Sequence, residues 1–371
     1  MRAQITEQLL AWYREHGRGL PWRRRRDPYA VWVSEVMLHQ TQVATVLPYY
    51  QRFLERFPTL ADLAQAPLDD ILKVWEGLGY YARARNLHYA ARRILAEHGG
   101  QFPDNWDTLR KLPGIGDYTA GAILSIAYDQ DYPALDGNVR RVLSRLFHIT
   151  VHAADAATKR HLYEIASSLL PPGQAGEFNQ ALMDLGATIC TPRRPHCSIC
   201  PLAQSCEACC LGIQELLPVR APRKPVPHYE VAAAVTWRNG RGGEFLIAQR
   251  LYRGLLGGLW EFPGGKQEAG ETLPDCLRRE IREELGLEIG VDEPLTVVEH
   301  AYTHFRITLH AFHCCLLAGQ PQAIGVADWR WITLEQVDQF AFSAADHKII
   351  AALRENQGSG DCGGKVTCPK L

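Results

Sequence analysis

The chain has 371 residues, of which 46% are hydrophobic and 22% charged, and its formal net charge at pH 7 is −1. That length leaves room for two domains with separate cores, the composition is that of an ordinary globular chain, and no run of about 18 apolar residues predicts a membrane span. The charge is uneven: residues 1–225 hold 26 Lys and Arg against 22 Asp and Glu, the remainder 14 against 19, so only the first part is suited to a polyanion.

Residues 1–210 read almost wholly as helices. Ile5, Leu9, Leu10, Trp12 and Tyr13 mark an amphipathic helix, and Val36, Val43, Val46, Leu47, Tyr50, Phe53 and Leu54 mark later turns. Ile71, Leu72 and Trp75 follow, then Leu87, Ala91, Ile94 and Leu95, with Pro, Gly and Asp clusters between them. At residues 112–116, Leu-Pro113-Gly114-Ile-Gly116 predicts a tight turn into an apolar helix that carries Tyr118. The turn's N–H groups would sit at that helix's N-terminus, free to hold a phosphate. About twenty residues later, Asp136 opens another helix with Gly137, Asn138 and apolar Val139, Val142, Leu143 and Leu146. A phosphate grip followed by one carboxylate suggests an enzyme that holds a DNA backbone and works on a sugar or base. Asp136 equally suits an N-cap.

Six of the eleven cysteines fall between Cys190 and Cys210. Cys190, Cys197, Cys200 and Cys206 have the spacing C-x6-C-x2-C-x5-C, which four-cysteine zinc and [4Fe–4S] sites both accept. Cys209 and Cys210 are left as bystanders. Residues 216–228 form a proline-rich basic linker. Beyond it Val231–Trp237, Phe245–Gln249 and Arg306–Leu316 look like strands. Leu273–Leu285 and Ala344–Arg354 look like helices, and residues 356–371 read as a disordered tail. The first ten residues lack the apolar core of a secretory signal, so a cytoplasmic location is expected.

Several segments in one order resemble the MutY adenine DNA glycosylases of the helix-hairpin-helix superfamily. They are Pro21-Trp22-Arg23, Val33-Ser-Glu35-Val-Met-Leu-His39-Gln40-Thr-Gln, Trp75-Glu-Gly-Leu-Gly-Tyr80-Tyr-Ala-Arg, the turn leading to Tyr118, Leu135-Asp136-Gly-Asn138-Val, and the cysteine loop. The resemblance implies an all-α glycosylase domain over residues 1–215 with a [4Fe–4S] loop at 190–206. It implies excision of adenine mispaired with 8-oxoguanine (or guanine) in duplex DNA, by a monomer associated with the nucleoid when on DNA.

It also implies roles. Glu35 would protonate adenine; read by itself, it is a carboxylate with a raised pKa among apolar neighbours or a glutamate facing water. Asp136 would stand beside C1′ of the flipped nucleotide, oriented by Asn138 and Tyr118. Related lyases carry a Schiff-base lysine where Tyr118 stands, so hydrolysis without strand cleavage is expected. Gln40 and Tyr80 would wedge into the duplex, and Gln180, Trp22 and Arg23 would line the adenine pocket. The family often has Gln-Gln where this chain has His39-Gln40. Arg23–Arg26 meets phosphates or is a solvated loop.

Residues 229–355 resemble MutT, the Nudix hydrolase that destroys 8-oxo-dGTP, and form an α+β domain in that reading. The Nudix box, degraded in most MutY proteins, is complete here: Gly265-x5-Glu271-x7-Arg279-Glu280-Ile281-Arg282-Glu283-Glu284-Leu285-Gly286-Leu287. Gly265, Glu280, Glu283 and Glu284 are candidate Mg2+ ligands; the alternative is a solvated helix whose arginines balance the glutamates. Tyr302-Thr303-His304 stands where the family reads 8-oxoguanine, and Asp346 resembles a base contact of MutT-like enzymes. The domain therefore either reads 8-oxoguanine in DNA or also hydrolyses 8-oxo-dGTP.

Overall fold

The computed structural model describes residues 2–24, 26–152, 155–219 and 225–358. Arg25, linker residues 220–224 and the expected tail from residue 359 lie outside the described residues. The chain divides into two units, one of Met1–Gln65 with Asn86–Arg223, the other of Ala66–Arg85 with Lys224–Leu371.

In chain order the helices are α1 (Arg2–His16), α2 (Pro28–Leu38), α3 (Val43–Arg56), α4 (Leu60–Gln65), α5 (Leu68–Trp75), α6 (Ala82–His98), α7 (Trp106–Arg110), α8 (Asp117–Tyr128), α9 (Gly137–Leu146), α10 (Ala156–Leu169), α11 (Ala175–Thr188), α12 (Glu207–Cys210), α13 (Leu273–Leu285) and α14 (Ala344–Gly358). Among the described residues none is long and apolar enough to cross a membrane. The first unit is helical throughout. Its α8 and α11 bury most of their residues, including small ones that let helices approach closely.

The second unit is a seven-stranded mixed sheet. Its strands are β1 (His228–Trp237), β2 (Phe245–Gln249), β3 (Trp260–Glu261), β4 (Gly264–Lys266), β5 (Glu288–Ala301), β6 (Arg306–Ala318) and β7 (Asp328–Ile332). The order is β3-β2-β1-β6-β5, with β4 on β1 and β7 on β2. Only β1 and β6 run parallel among these pairs. Alternate residues of β1 feed two cores, as strand geometry requires. Ala233, Val235 and Trp237 pack with Ile349, Ile350 and Leu353 of α14. Ala232 and Ala234 pack with Leu277, Ile281 and Leu285 of α13. The sheet thus lies between two helices.

Three boundaries differ from the sequence reading. Helix α14 continues to Gly358, so residues 356–358 are helical and not part of a tail. Strand β1 begins at His228, the last residue of the expected linker. Residues 66–85, expected within the 1–215 domain, belong to the second unit. There Asp69 Oδ1 accepts from Gln249 Nε2 at 2.8 Å, and Lys73 Nζ donates to the Phe340 carbonyl at 2.8 Å. Glu76 Oε1 accepts from Phe342 N at 2.7 Å and pairs with His347 at 2.8 Å. The apolar face of α5 announces burial but not the partner that buries it.

Candidate active site

Glu35 owes its setting to α2. Asp27 caps this helix by accepting from the N–H groups of Tyr29 and Ala30, both at 3.2 Å, and Pro28 occupies its first turn. Every residue from Tyr29 to Met37 is buried, so α2 has no water face for Glu35 to occupy. The residue is 4% exposed. Burial pushes the Glu35 pKa up to about 7, and the nearby Asp136 charge adds to this. The Tyr118 hydroxyl, which donates to Glu35 Oε2, and Arg23 pull the other way.

The hairpin from α7 to α8 delivers Tyr118. Gly114 has φ +77°, and a Cβ there would lie 2.8 Å from Asn86 Cβ, so the turn requires glycine. Arg110 braces the turn by donating to the Ile115 carbonyl at 2.6 Å and pairing with Asp117 at 2.6 Å. No side chain caps α8 at Gly116, which leaves its first-turn N–H groups to other acceptors. Burial and the neighbouring carboxylates keep Tyr118 neutral, its pKa well above the usual 10.0.

Asp136 both caps α9 and faces the cavity. Its Oδ1 accepts from Val139 N at 2.6 Å, and its Oδ2 accepts from Asn138 Nδ2 at 2.9 Å. Asn138 is fixed on its other side by Arg141 Nη2 at 2.8 Å. Burial raises the Asp136 pKa, while these N–H donors favour its anion. Of the two residues expected to orient Asp136, Asn138 bonds it and Tyr118 donates its hydrogen bond to Glu35 instead.

Glu35, Tyr118, Asp136 and Asn138 line one cavity of about 990 Å³, together with Trp22, Arg23, Gln40 and Gln180. Trp22 stands edge-on to Tyr50 at 5.2 Å. Gln40 is exposed at the rim with φ +59°, a rare backbone state for a side-chain-bearing residue. Gln180 Nε2 donates to the Gly176 carbonyl at 3.0 Å, and Tyr13 donates to its Oε1 at 3.5 Å. Pro113, Gly114 and Gly116 belong to the hairpin rather than to the cavity wall. The sequence reading gave no role to three residues here. His39 lies with its ring 5.6 Å from that of Tyr118 and its Nε2 3.3 Å from Thr119 Oγ1. Arg18, partly exposed, pairs at 2.6 Å with the buried Asp184. Asp184 lies mid-helix, where spacing gives no functional signal.

Cys190, Cys197, Cys200 and Cys206 gather round a second, small cavity. Cys209 lines it too and bonds to Cys197, while Cys210 is exposed. Arg145 of α9, 1% exposed, ties the loop down through the carbonyls of Leu217 at 3.0 Å and Thr191 at 2.7 Å, and through Cys190 Sγ at 3.3 Å. Among the described residues no three His, Cys, Asp or Glu side chains are drawn together closely enough to grip a lone metal ion. A set of soft thiol donors spread round a cavity suits a multi-iron cluster.

In the second unit Tyr80, 42% exposed with φ +49°, shares a 2.8 Å hydrogen bond with Thr303. The Tyr302 ring lies 4.8 Å from that of Phe305, tilted by 36°, and His304 is exposed. Asp346 is buried, its Oδ1 accepting from Phe262 N at 3.2 Å and its Oδ2 from Ser343 Oγ at 2.6 Å. In the Nudix box Arg279 meets Glu271 at 2.8 Å, Glu280 at 2.9 Å and Glu283 at 3.5 Å. Glu284 differs: its buried Oε2 has no hydrogen-bond partner. Burial and the Glu280 charge push its pKa up to about 7. A Cβ at Gly265 would overlap the Glu280 carboxyl, so glycine opens that space. One donor oxygen is therefore open to a cation, that of Glu284, while Arg279 engages Glu271, Glu280 and Glu283.

Comparison with known proteins agrees with this division. Residues 33–168 match the HhH-GPD superfamily base excision DNA repair proteins, residues 190–206 the iron–sulfur binding domain of endonuclease III, and residues 232–352 a NUDIX domain. The helical part also resembles a solved thermostable thymine-DNA glycosylase, with 30% identity and a TM-score of 0.51 over 56% of this chain and 96% of that one. This is the architecture of a base-excision glycosylase with an iron–sulfur loop, joined to a Nudix unit. Adenine DNA glycosylases from Rattus norvegicus and Homo sapiens are each 38% identical to it. The alignments cover 97% and 98% of this chain, and 80% and 76% of those proteins. The chain belongs to the adenine DNA glycosylase family.

The cluster loop makes a direct prediction. Cys200→Ala should lower bound iron per chain and the broad visible absorption of thiolate-bound iron, whereas Cys210→Ala should leave both unchanged. Iron analysis and absorption spectra of the purified variants check this.

Proposed function

We propose that the enzyme hydrolyses the N-glycosidic bond of adenine opposite 8-oxoguanine (or guanine) in duplex DNA, without cutting the strand. The carrying observation is a pair of carboxyls on one cavity with opposed environments. Glu35 is stripped of water and keeps its proton near neutral pH. Asp136 is held by two N–H donors that favour its anion. Paired carboxyls of this kind divide acid from charge-stabilising work. Glu35 gives its proton to the flipped adenine. The bond to C1′ then breaks, and the base leaves with the electron pair. Asp136 faces the positive charge that develops on the sugar, and water adds at C1′ and releases a proton. Tyr118 is a phenol and forms no Schiff base, so no lyase step follows.

Gln40 is the proposed wedge, and Trp22, Arg23 and Gln180 the walls of the adenine pocket. The Pro113–Gly116 turn holds the phosphate backbone through its N–H groups. Tyr80, Tyr302, Thr303 and His304 form the surface proposed to read 8-oxoguanine; the Tyr80–Thr303 bond supports this grouping. Cys190, Cys197, Cys200 and Cys206 would hold a [4Fe–4S] cluster, which fastens the loop beside α9.

A duplex bearing the mispair should be cut at the adenine after enzyme and hot alkali, and Glu35→Gln should yield no product. Cutting before alkali would contradict the role given to Tyr118. Because the acid must be protonated, kcat/KM should fall as pH rises through about 7. Tyr118→Phe removes a bond that stabilises the Glu35 anion, so its descending limb should move to higher pH.

A second reading rests on Glu284. An orphaned carboxylate oxygen in a complete Nudix box fits Mg2+ bound with a nucleotide diphosphate. Asp346 is its candidate base contact. Incubation with 8-oxo-dGTP and Mg2+ should release pyrophosphate in the wild type and not in Glu284→Gln. Equal release by both would rule out this site.

A further inference from the structure

Asp184 of α11 is 0% exposed. A carboxylate without water must be matched by positive charge and hydrogen bonds or lose its ionisation. Arg18 donates to it through the backbone N–H at 2.9 Å, Nε at 2.7 Å and Nη2 at 2.6 Å. Arg23 donates through Nη1 at 2.6 Å and Nη2 at 2.7 Å. Burial works to raise the Asp184 pKa, but the two arginines win and hold it below the usual carboxylate value. Behind Arg23, the Tyr13 ring lies 5.6 Å from the guanidinium. Both arginines line the cavity that holds Glu35.

We propose that Asp184 is a positioning residue that pins Arg18 and Arg23 in the cavity wall and screens their charge from Glu35, so that the acid keeps its proton at neutral pH. This rests on the reading of Glu35 as the general acid. A bare guanidinium close to a carboxyl favours the anion and lowers its pKa by about 1–3 units. Two cations and one anion leave the cluster at +1; without Asp184 it would stand at +2. The other groups that act on Glu35 are Tyr118 from α8 and Asp136 at the start of α9. Arg140 and Arg141 also line the cavity, and Arg141 is engaged by Asn138 and by the Gly186 carbonyl at 2.7 Å. Arg23 is therefore the cation whose field Asp184 controls.

The test is the pH dependence of kcat/KM on the mispaired duplex, measured with the full-length protein. Asp184→Asn should move the descending limb down by about one pH unit. Arg23→Gln should move it up, and the double variant should lie above Asp184→Asn. Should Asp184→Asn fail to fold, the double variant carries the test against Arg23→Gln: its limb should lie lower, because Arg18 is then bare, and equal limbs would overturn the proposal. A lower rate with an unmoved limb in Asp184→Asn would reduce Asp184 to a structural brace and overturn the proposal. Glu35→Gln separates the two claims. If it stays active, the acid assignment fails; if it is inactive and the Asp184→Asn limb stays put, only the screening role fails.

Discussion

Removal of water from one carboxyl governs the helical unit. Glu35 sits on a helix buried on all sides, and ionising it there costs on the order of 3 kcal/mol more than in water. The sign is that of a raised acid. The contribution to folding is fully present below the ordinary pKa of 4.5 and is lost as pH rises through about 7. In the proposed mechanism chemistry and stability pull the same way, since the protonated form is both the acid and the better-folded state. The surrounding groups then act as trims. Tyr118 and Arg23 lean toward the anion, and Asp136 leans against it.

The same economy runs through Asp136. Helix α9 needs an acceptor for its first N–H groups, and in the proposed reaction the sugar needs a carboxylate held in one orientation. A single N-cap meets both demands, and Asn138, locked by Arg141, completes it. The hairpin before α8 likewise joins two tasks, as its glycine turn delivers Tyr118 to Glu35 and leaves uncapped N–H groups at the helix start. In the second unit the sheet between α13 and α14 supports two other surfaces: the Nudix-box glutamates on α13, and the exposed pair of Tyr80 and Thr303.

Much of this was legible in the sequence because it depends on local chemistry. Helix α13 and strand β2 have the bounds that their periodicity and flanking turns predict. Glu35, Tyr118, Asp136 and Asn138 sit in contiguous motifs, and the structure brings all four to one cavity. What stayed hidden depends on long-range packing. Strand β5 escaped notice because it is an edge strand with Gly290, Pro294, several acids and shifted register. Residues 66–85 show one apolar face whose partner no periodicity names. Asp184 is an unremarkable mid-helix acid until Arg18 and Arg23, more than 150 positions away, close on it. The tyrosine's allegiance to Glu35 rather than Asp136 is also a matter of angstroms that spacing cannot encode.

The central claim is that Glu35 is protonated in the folded enzyme near neutral pH. Its carboxyl can be followed directly by carbon NMR with labelled glutamate, assigned by the signal lost in Glu35→Gln. A titration midpoint near 7 is the result this account predicts. A midpoint near the ordinary 4.5 would contradict it, because Glu35 would then be an anion at the pH where it must act as an acid.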